Sequence, residues 1–399
     1  NCRGQGANLK GVLIGSHLGD SITSTALIKV ENSYTSTNID NLNDIGNLIG
    51  NDTGNEISGG TINILNCYST GNISAGGILG DRTGLGSTGG EINIENCYSN
   101  GSINNGGGIL GNDTYKNSSG GVLNIKKSYS TGDKLTDNSG GIFGIQTKLE
   151  ATGGVINVEN CFSTGDNGSV IFGDKLCLKA ENGTININNC FTTGSISNNG
   201  GGLCGFETLR DSKKNESINI NDCYSVGVIG ENSGGLIGSN CGKNSDTISI
   251  IINNSYSTGN IGINAGGIIG SNCGKDSFNS NIQVNNNYSV GVIGDSGGGI
   301  YGSNTRSGTS SGTVVALNCY TVGNTTTFNT GIYGLNNFGG SDPNCISTDN
   351  ASQPDNTWVD ANAILTIGSG STAWLDLTNS DGTPWVLNSY DEQLYNPNS

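Results

Sequence analysis

Twelve cysteines, one histidine and 33 acidic residues are the side chains of this 399-residue chain with most chemistry to offer. Cys2, Cys67, Cys97, Cys161, Cys190, Cys223 and Cys319 stand at one recurring corner of the sequence, and Cys345 extends the set. Ser128, Ser255 and Asn287 take the same place elsewhere, so the position asks for a small group rather than a thiol. Neither a Cys-x-x-Cys pair nor a Cys/His cluster with zinc spacing occurs, which leaves small, half-buried thiols. Cys241 and Cys273 differ, because each lies in "GSNCGK", one period apart. In stacked loops their Cα atoms would stand about 5 Å apart, within the span of a disulfide. They are the disulfide candidate, and a persistent bridge implies an oxidising, extracellular setting.

His17 is the only histidine, so it cannot belong to a repeated site, and a lone imidazole reads as a surface or satisfied residue. The acids are scattered and form no recurrent set with Arg or Lys, so no acid–base pair is evident and the chain is expected not to be an enzyme. Stretches such as "GDNGS" and "NSDGT" supply oxygen ligands, yet neither an EF-hand loop nor tandem glycine-rich nonapeptides occur. No cofactor is expected, and calcium is only weakly signalled.

The elements that must position these residues come from an internal repeat. "NSYTS" at 32 returns as "NCYSTG" at 66, "NCYSNG" at 96, "KSYSTG" at 127, "NCFSTG" at 160 and "NCFTTG" at 189. "DCYSVG" at 222, "NSYSTG" at 254, "NNYSVG" at 286 and "NCYTVG" at 318 continue it, and a degraded "NCIST" follows at 344. The aromatics Tyr34, Tyr68, Tyr98, Tyr129, Phe162, Phe191, Tyr224, Tyr256, Tyr288 and Tyr320 set a period near 32. A second landmark, Gly-Gly-apolar-apolar-Gly, recurs in step, as in "GGILG" at 76 and 107 and "GGIYG" at 298. A third, such as "TINILN" or "VINVEN", alternates apolar and polar residues just before the aromatic.

Alternation at period two means β-strand, and no comparable stretch shows the helical period. Units that cannot bury a face alone do so by stacking, which predicts an all-β parallel solenoid, a right-handed β-helix being favoured, of about eleven coils. Its domain would run over 1–349, with a C-terminal cap over 350–399. A straight strand would place Ile62, Ile64, Asn66, Tyr68 and Thr70 on one core face; a bend at Asn66 would instead turn Cys67 inward and Tyr68 outward. Both readings stand on sequence alone. Either way the aromatics stack in one column, and Asn32, Asn66, Asn96, Asn160, Asn189, Asn254, Asn286 and Asn318 form an asparagine ladder that Lys127 and Asp222 interrupt. A lysine in that ladder implies a partly wet corner. The paired glycines are expected to supply positive φ and close packing at coil corners.

This combination, Gly-apolar-apolar-Gly with "NCYSTG" a few residues upstream, resembles the GLUG-motif repeats of large bacterial surface proteins and adhesins. It is also similar to Asn-rich repeat proteins encoded by giant viruses of protists. The resemblance covers residues 1 to about 349. It implies a β-solenoid on a cell, extracellular or virion surface and brings no catalytic residues with it.

The ends depart from the repeat. Trp358, Trp374 and Trp385 all fall in the last fifty residues, beside a short helical turn expected at "DANAILTI". Such an atypical segment reads as a cap over an exposed solenoid end, with sugar binding by the tryptophans as the alternative. At the other end Asn1-Cys2 matches the middle of a unit, and there is no methionine, so a processed or partial chain is expected, with self-association through the open N-terminal coil.

A net charge of −16 with scattered Lys and Arg argues against a nucleic-acid partner. No apolar run approaches a membrane span. These features point to a non-enzymatic fibre, spike or adhesin module presenting a polar face to carbohydrate, a host surface or its own copies. Two alternatives remain: a carbohydrate-active β-helix enzyme of the polysaccharide lyase, epimerase or tailspike-glycosidase kind, whose acids would gather from different coils, and an ice-binding solenoid with a regular Thr face.

Overall fold

Alternating sequence becomes alternating burial. In Thr61–Leu65 the side chains of Ile62 and Ile64 are buried while Thr61, Asn63 and Leu65 are half-exposed, and the pattern repeats in Glu91–Glu95, Val155–Glu159 and Thr184–Asn188. Ten such strands, from Leu27–Glu31 to Gly312–Leu317, form one sheet that is parallel and in register throughout. A computed structural model describes residues 3–4, 13–36, 38, 46–133, 139–165, 170–308, 311–322, 331–335, 346–348, 356–360 and 363–367. A second parallel sheet of twelve short strands begins at Arg3–Gly4, runs through Tyr34–Thr35 and Tyr68–Ser69, and ends at Ile346–Thr348. The third side of each coil is held by single parallel bridges that link Ile49, Leu79, Leu110, Phe143, Phe172 and Cys204 in succession. Equivalent asparagines in successive coils are 29 to 34 residues apart.

The chain is therefore a parallel β-solenoid with a period near 32, and no helix occurs among the described residues. The ten-stranded sheet comprises nine full turns and at ~4.8 Å per strand is about 43 Å long, while the twelve-stranded sheet spans eleven steps. One continuous apolar core, from Val30 to Ile332, fills it.

The choice between a straight and a bent strand is settled at Asn66. Its φ is +53°, a left-handed conformation that reverses the pleat for the residues that follow. Cys67 and Ser69 consequently point inward and are fully buried, while Tyr68 is half-exposed. The expectation of a core face made of Ile, Ile, Asn, aromatic and Thr is thus corrected: the pleat switches parity at the asparagine. The rings do stack in one column from Tyr34 to Tyr288, with centroids 4.6–5.1 Å apart and planes within 8°. Tyr320 follows Tyr288 in strand register.

The glycine expectation divides. Gly76, Gly77, Gly107, Gly108, Gly140 and Gly141 all lack positive φ, so the conformational half of that expectation is corrected. The close-packing half holds. A Cβ on Gly76 would lie 1.6 Å from the Leu79 carbonyl oxygen, and one on Gly108 would lie 2.5 Å from Cβ of Ser130. The second glycine faces a buried column of small hydroxyls, Ser69, Ser99, Ser130, Ser163 and Thr192.

The expected helical turn at "DANAILTI" is also overturned. Asn356–Asp360 and Ala363–Ile367 pair as an antiparallel hairpin, in keeping with the β-branched and aromatic residues of both segments. Trp358 lies in its first strand, whereas Trp374, Trp385, Cys2 and Cys345 lie outside the described residues.

Candidate binding face

The strands that bury Ile62 and Ile64 must turn their odd positions outward, and the central outward place is asparagine in six successive coils. Asn93 Nδ2 donates to Asn63 Oδ1 at 2.9 Å, Asn124 to Asn93 at 2.8 Å, Asn157 to Asn124 at 2.8 Å, Asn186 to Asn157 at 2.9 Å and Asn219 to Asn186 at 3.0 Å. Two residues along, Asn221 donates to Asn188, Asn253 to Asn221 and Asn285 to Asn253, each at 2.9 Å. A carboxamide has two N–H donors and two acceptor lone pairs. A ladder uses one of each per residue, so Asn157, Asn186 and Asn219 keep an N–H and a lone pair for an outside partner at a repeat of ~4.8 Å.

Sequence reading missed these ladders, although "INI" in "EINIEN" and "TININN" carries the central one as the polar half of the alternation. The ladder it did name occupies the corner. All eight of its residues, from Asn32 to Asn318, have φ between 50° and 55°, and Lys127 and Asp222 adopt the same conformation in the gaps. Amide contacts join Asn32, Asn66 and Asn96 at 3.2–3.3 Å and Asn254, Asn286 and Asn318 at 3.1–3.2 Å. Lys127 is exposed and reaches Glu95 at 3.5 Å, which makes this corner wet as expected.

A shallow groove crosses the outward face near its N-terminal end, lined by Asn63, Glu91, Asn93, Glu95, Asn124 and Lys126. Its acids are each engaged. Glu91 accepts from Asn124 at 2.8 Å, Glu95 from Lys127, and neighbouring Glu159 pairs with Lys126 at 3.0 Å, which holds the Lys126 ammonium above its ordinary range. Glu91 and Glu95 lie four residues apart on one strand, about 13 Å by strand rise, beyond the ~5–9.5 Å that separates glycosidase carboxyl pairs. The groove is a hydrogen-bonding surface with compensated charge.

The aromatic column does not offer ring faces, since each stacked ring covers its neighbours; Tyr68, Tyr98 and Tyr129 are half-exposed, whereas Phe191, Tyr224 and Tyr288 are buried. Nor is the first outward column a regular Thr array, because it reads Thr61, Glu91, Val122, Val155, Thr184, Ser217, Ser249.

The corner thiols are interior. Cys67, Cys97, Cys161, Cys190, Cys223 and Cys319 are fully buried, and Cys67, Cys161 and Cys190 hydrogen-bond to backbone carbonyls of their own and the preceding coil. Burial pushes the Cys161, Cys177, Cys190, Cys204 and Cys273 thiols up, away from the reactive thiolate. Cys241 and Cys273 do meet, with Sγ atoms 2.9 Å apart, but both are free thiols, so the expected bridge is not formed in this structure. They interrupt a buried column of Thr83, Thr114, Thr147, Thr208 and Thr305. His17 is exposed and bonds to Asp20 at 2.6 Å. Among the described residues no cluster of three His, Cys, Asp or Glu could hold a metal ion, and no helix is long and apolar enough to cross a membrane.

No family model matches the chain, and neither a curated protein nor a solved structure matches it.

Proposed function

We propose that the protein is a non-enzymatic module of a cell or particle surface whose asparagine-lined sheet binds a hydroxyl-rich polymer, carbohydrate in the first instance. The observation that carries this reading is the Asn63–Asn219 ladder, in which Asn157, Asn186 and Asn219 repeat an unused amide donor and acceptor along a parallel sheet. The likeness to GLUG-motif surface repeats supports it, as does a charge of −16, which keeps long rods apart in solution. A glycan array with the purified chain tests it. Ile251 and Val315 already occupy the central column, so Asn157→Val with Asn186→Val suits the fold. This double variant is expected to lose at least tenfold in polysaccharide binding. An empty array, or binding indifferent to the substitution, would sink the proposal, and release of reducing or unsaturated sugar abolished by Glu159→Gln would replace it with the enzyme reading.

The extracellular setting has its own test. In an oxidising compartment the Cys241 and Cys273 thiols would lose two protons and two electrons to dioxygen or an exchanging disulfide and form the bridge that their contact prepares. Peptide mapping without reduction should find them joined in protein taken from its native source; two alkylated cysteines would remove this support.

A further inference from the structure

We propose that Lys148 and Glu216 condense into an intramolecular amide that joins two coils of the solenoid. Both side chains are wholly inaccessible to solvent, with Nζ 2.7 Å from Oε1. Lys148 continues a left-handed column that holds Tyr115 in the coil before and Cys177 and Leu209 in the coils after. Glu216 takes a place held by Gly121, Gly154 and Gly183 in the three preceding coils. Neutral residues therefore fit both positions, and a buried ion pair adds little stability over an apolar one. The pair reaches past the intervening coil, through the space that a side chain at Gly183 would need: a Cβ there would lie 1.9 Å from Nζ.

The surroundings suit acyl transfer. Lys148 Nζ also donates to the Gly154 carbonyl at 3.3 Å, and Glu216 Oε2 accepts the Gly183 N–H at 2.6 Å. An amine in contact with one carboxyl oxygen sits about 3.5 Å from the carboxyl carbon, at the edge of the near-attack range. A proton passes from the ammonium to the carboxylate, leaving amine and acid. The nitrogen lone pair attacks the carbon, and the Gly183 N–H stabilises charge developing on Oε2, as an oxyanion hole does. The C–N bond forms, the C–O bond to Oε1 breaks, and oxygen leaves as water with the protons shed by nitrogen. The condensation involves no change of oxidation state and no co-reactant. Leu176, Ala180 and Leu209, all fully buried nearby, keep out the water that hydrolysis would need. Cys177, in the intervening coil, is held as a neutral thiol by burial and by the Glu216 charge, so it does not compete as nucleophile.

Mass spectrometry of the full chain, folded, purified and then denatured, decides the matter. The intact mass should fall short of the sequence mass by one water, and digestion should release a branched peptide joining the segments around Lys148 and Glu216. Replacing the pair by Lys148→Met with Glu216→Leu should restore the full mass while the β-sheet circular dichroism persists. A wild-type chain at full mass after prolonged storage in the folded state would overturn the proposal. So would a water deficit that survives Lys148→Met, since the loss would then lie elsewhere.

Discussion

Two of the corners at which the coil turns solve the problem by opposite means. At the Asn-Cys-aromatic corner the backbone needs a left-handed φ, and Asn, Lys127 and Asp222 all supply it with their side chains outside. At the Gly-Gly-apolar-apolar-Gly corner φ is ordinary, but a Cβ has nowhere to go: on Gly107 it would lie 2.3 Å from the Leu110 carbonyl oxygen and 2.5 Å from the Gly144 nitrogen. One corner asks for a conformation, the other for an absence of atoms. The first therefore tolerates several residue types, while the second stays glycine through most coils.

The largest effect should come from filling that absence. A Cβ on Gly140 would stand 1.6 Å from the Phe143 carbonyl oxygen, and both that atom and the Gly173 nitrogen beyond are backbone held by inter-coil hydrogen bonds. Gly140→Ala is expected to destabilise by about 3 kcal/mol or more, the range of severe overpacking. Gly86 is the control, with φ +66° and only Glu56 Cγ near its Cβ position, at 3.6 Å. Gly86→Asn, which suits the left-handed region, should shift stability by no more than about 0.5 kcal/mol. Urea midpoints compare the two, and equal shifts would break the distinction between space and conformation.

At the asparagine corner the ranking should invert. Asn96→Val puts a β-branched residue at φ +53° and removes the amide contact to Asn66, for a loss of about 1–2 kcal/mol. Asn96→Gly loses the same contact but keeps the conformation at ease, so it should fall within about 0.5 kcal/mol of wild type. If Gly proves as damaging as Val, the corner depends on the ladder rather than on φ.

These contrasts also show what a sequence of this kind can reveal. Period and alternation were legible because every unit repeats them, so the parallel stack, its register and the ring column could be read from Tyr68 and its equivalents. The parity switch was not, since a left-handed φ at Asn66 leaves no trace beyond a residue that tolerates it. The glycines misled in part, because permissive φ and missing volume call for the same residue. On the outward face Asn157 and Asn186 are as periodic as the isoleucines beside them; reading the strand for its buried half passed over them. Lys148 and Glu216 had no signal at all, since 68 residues separate them and neither repeats.

The smallest effect comes from repairing the corner ladder. Lys127 sits in register between Asn96 and Asn160, with φ +47°, and its N–H donates to the Glu159 carbonyl of the next coil, as the N–H of Asn96 does to Lys126 and that of Asn160 to Asn188. Lys127→Asn places a residue that favours the left-handed region in that seat and offers its amide to Asn96 below. The change gives up the exposed contact with Glu95 at 3.5 Å, a class of pair worth about 0–1 kcal/mol and weakened by salt. The two sides nearly balance at low ionic strength, so a net gain of about 0.5 kcal/mol should emerge only as salt screens the lost pair. Urea midpoints of wild type and Lys127→Asn, measured at low and high salt, provide the test. A variant that stays less stable than wild type in high salt would mean that the amide contacts along this corner add nothing, leaving φ alone as what the corner requires.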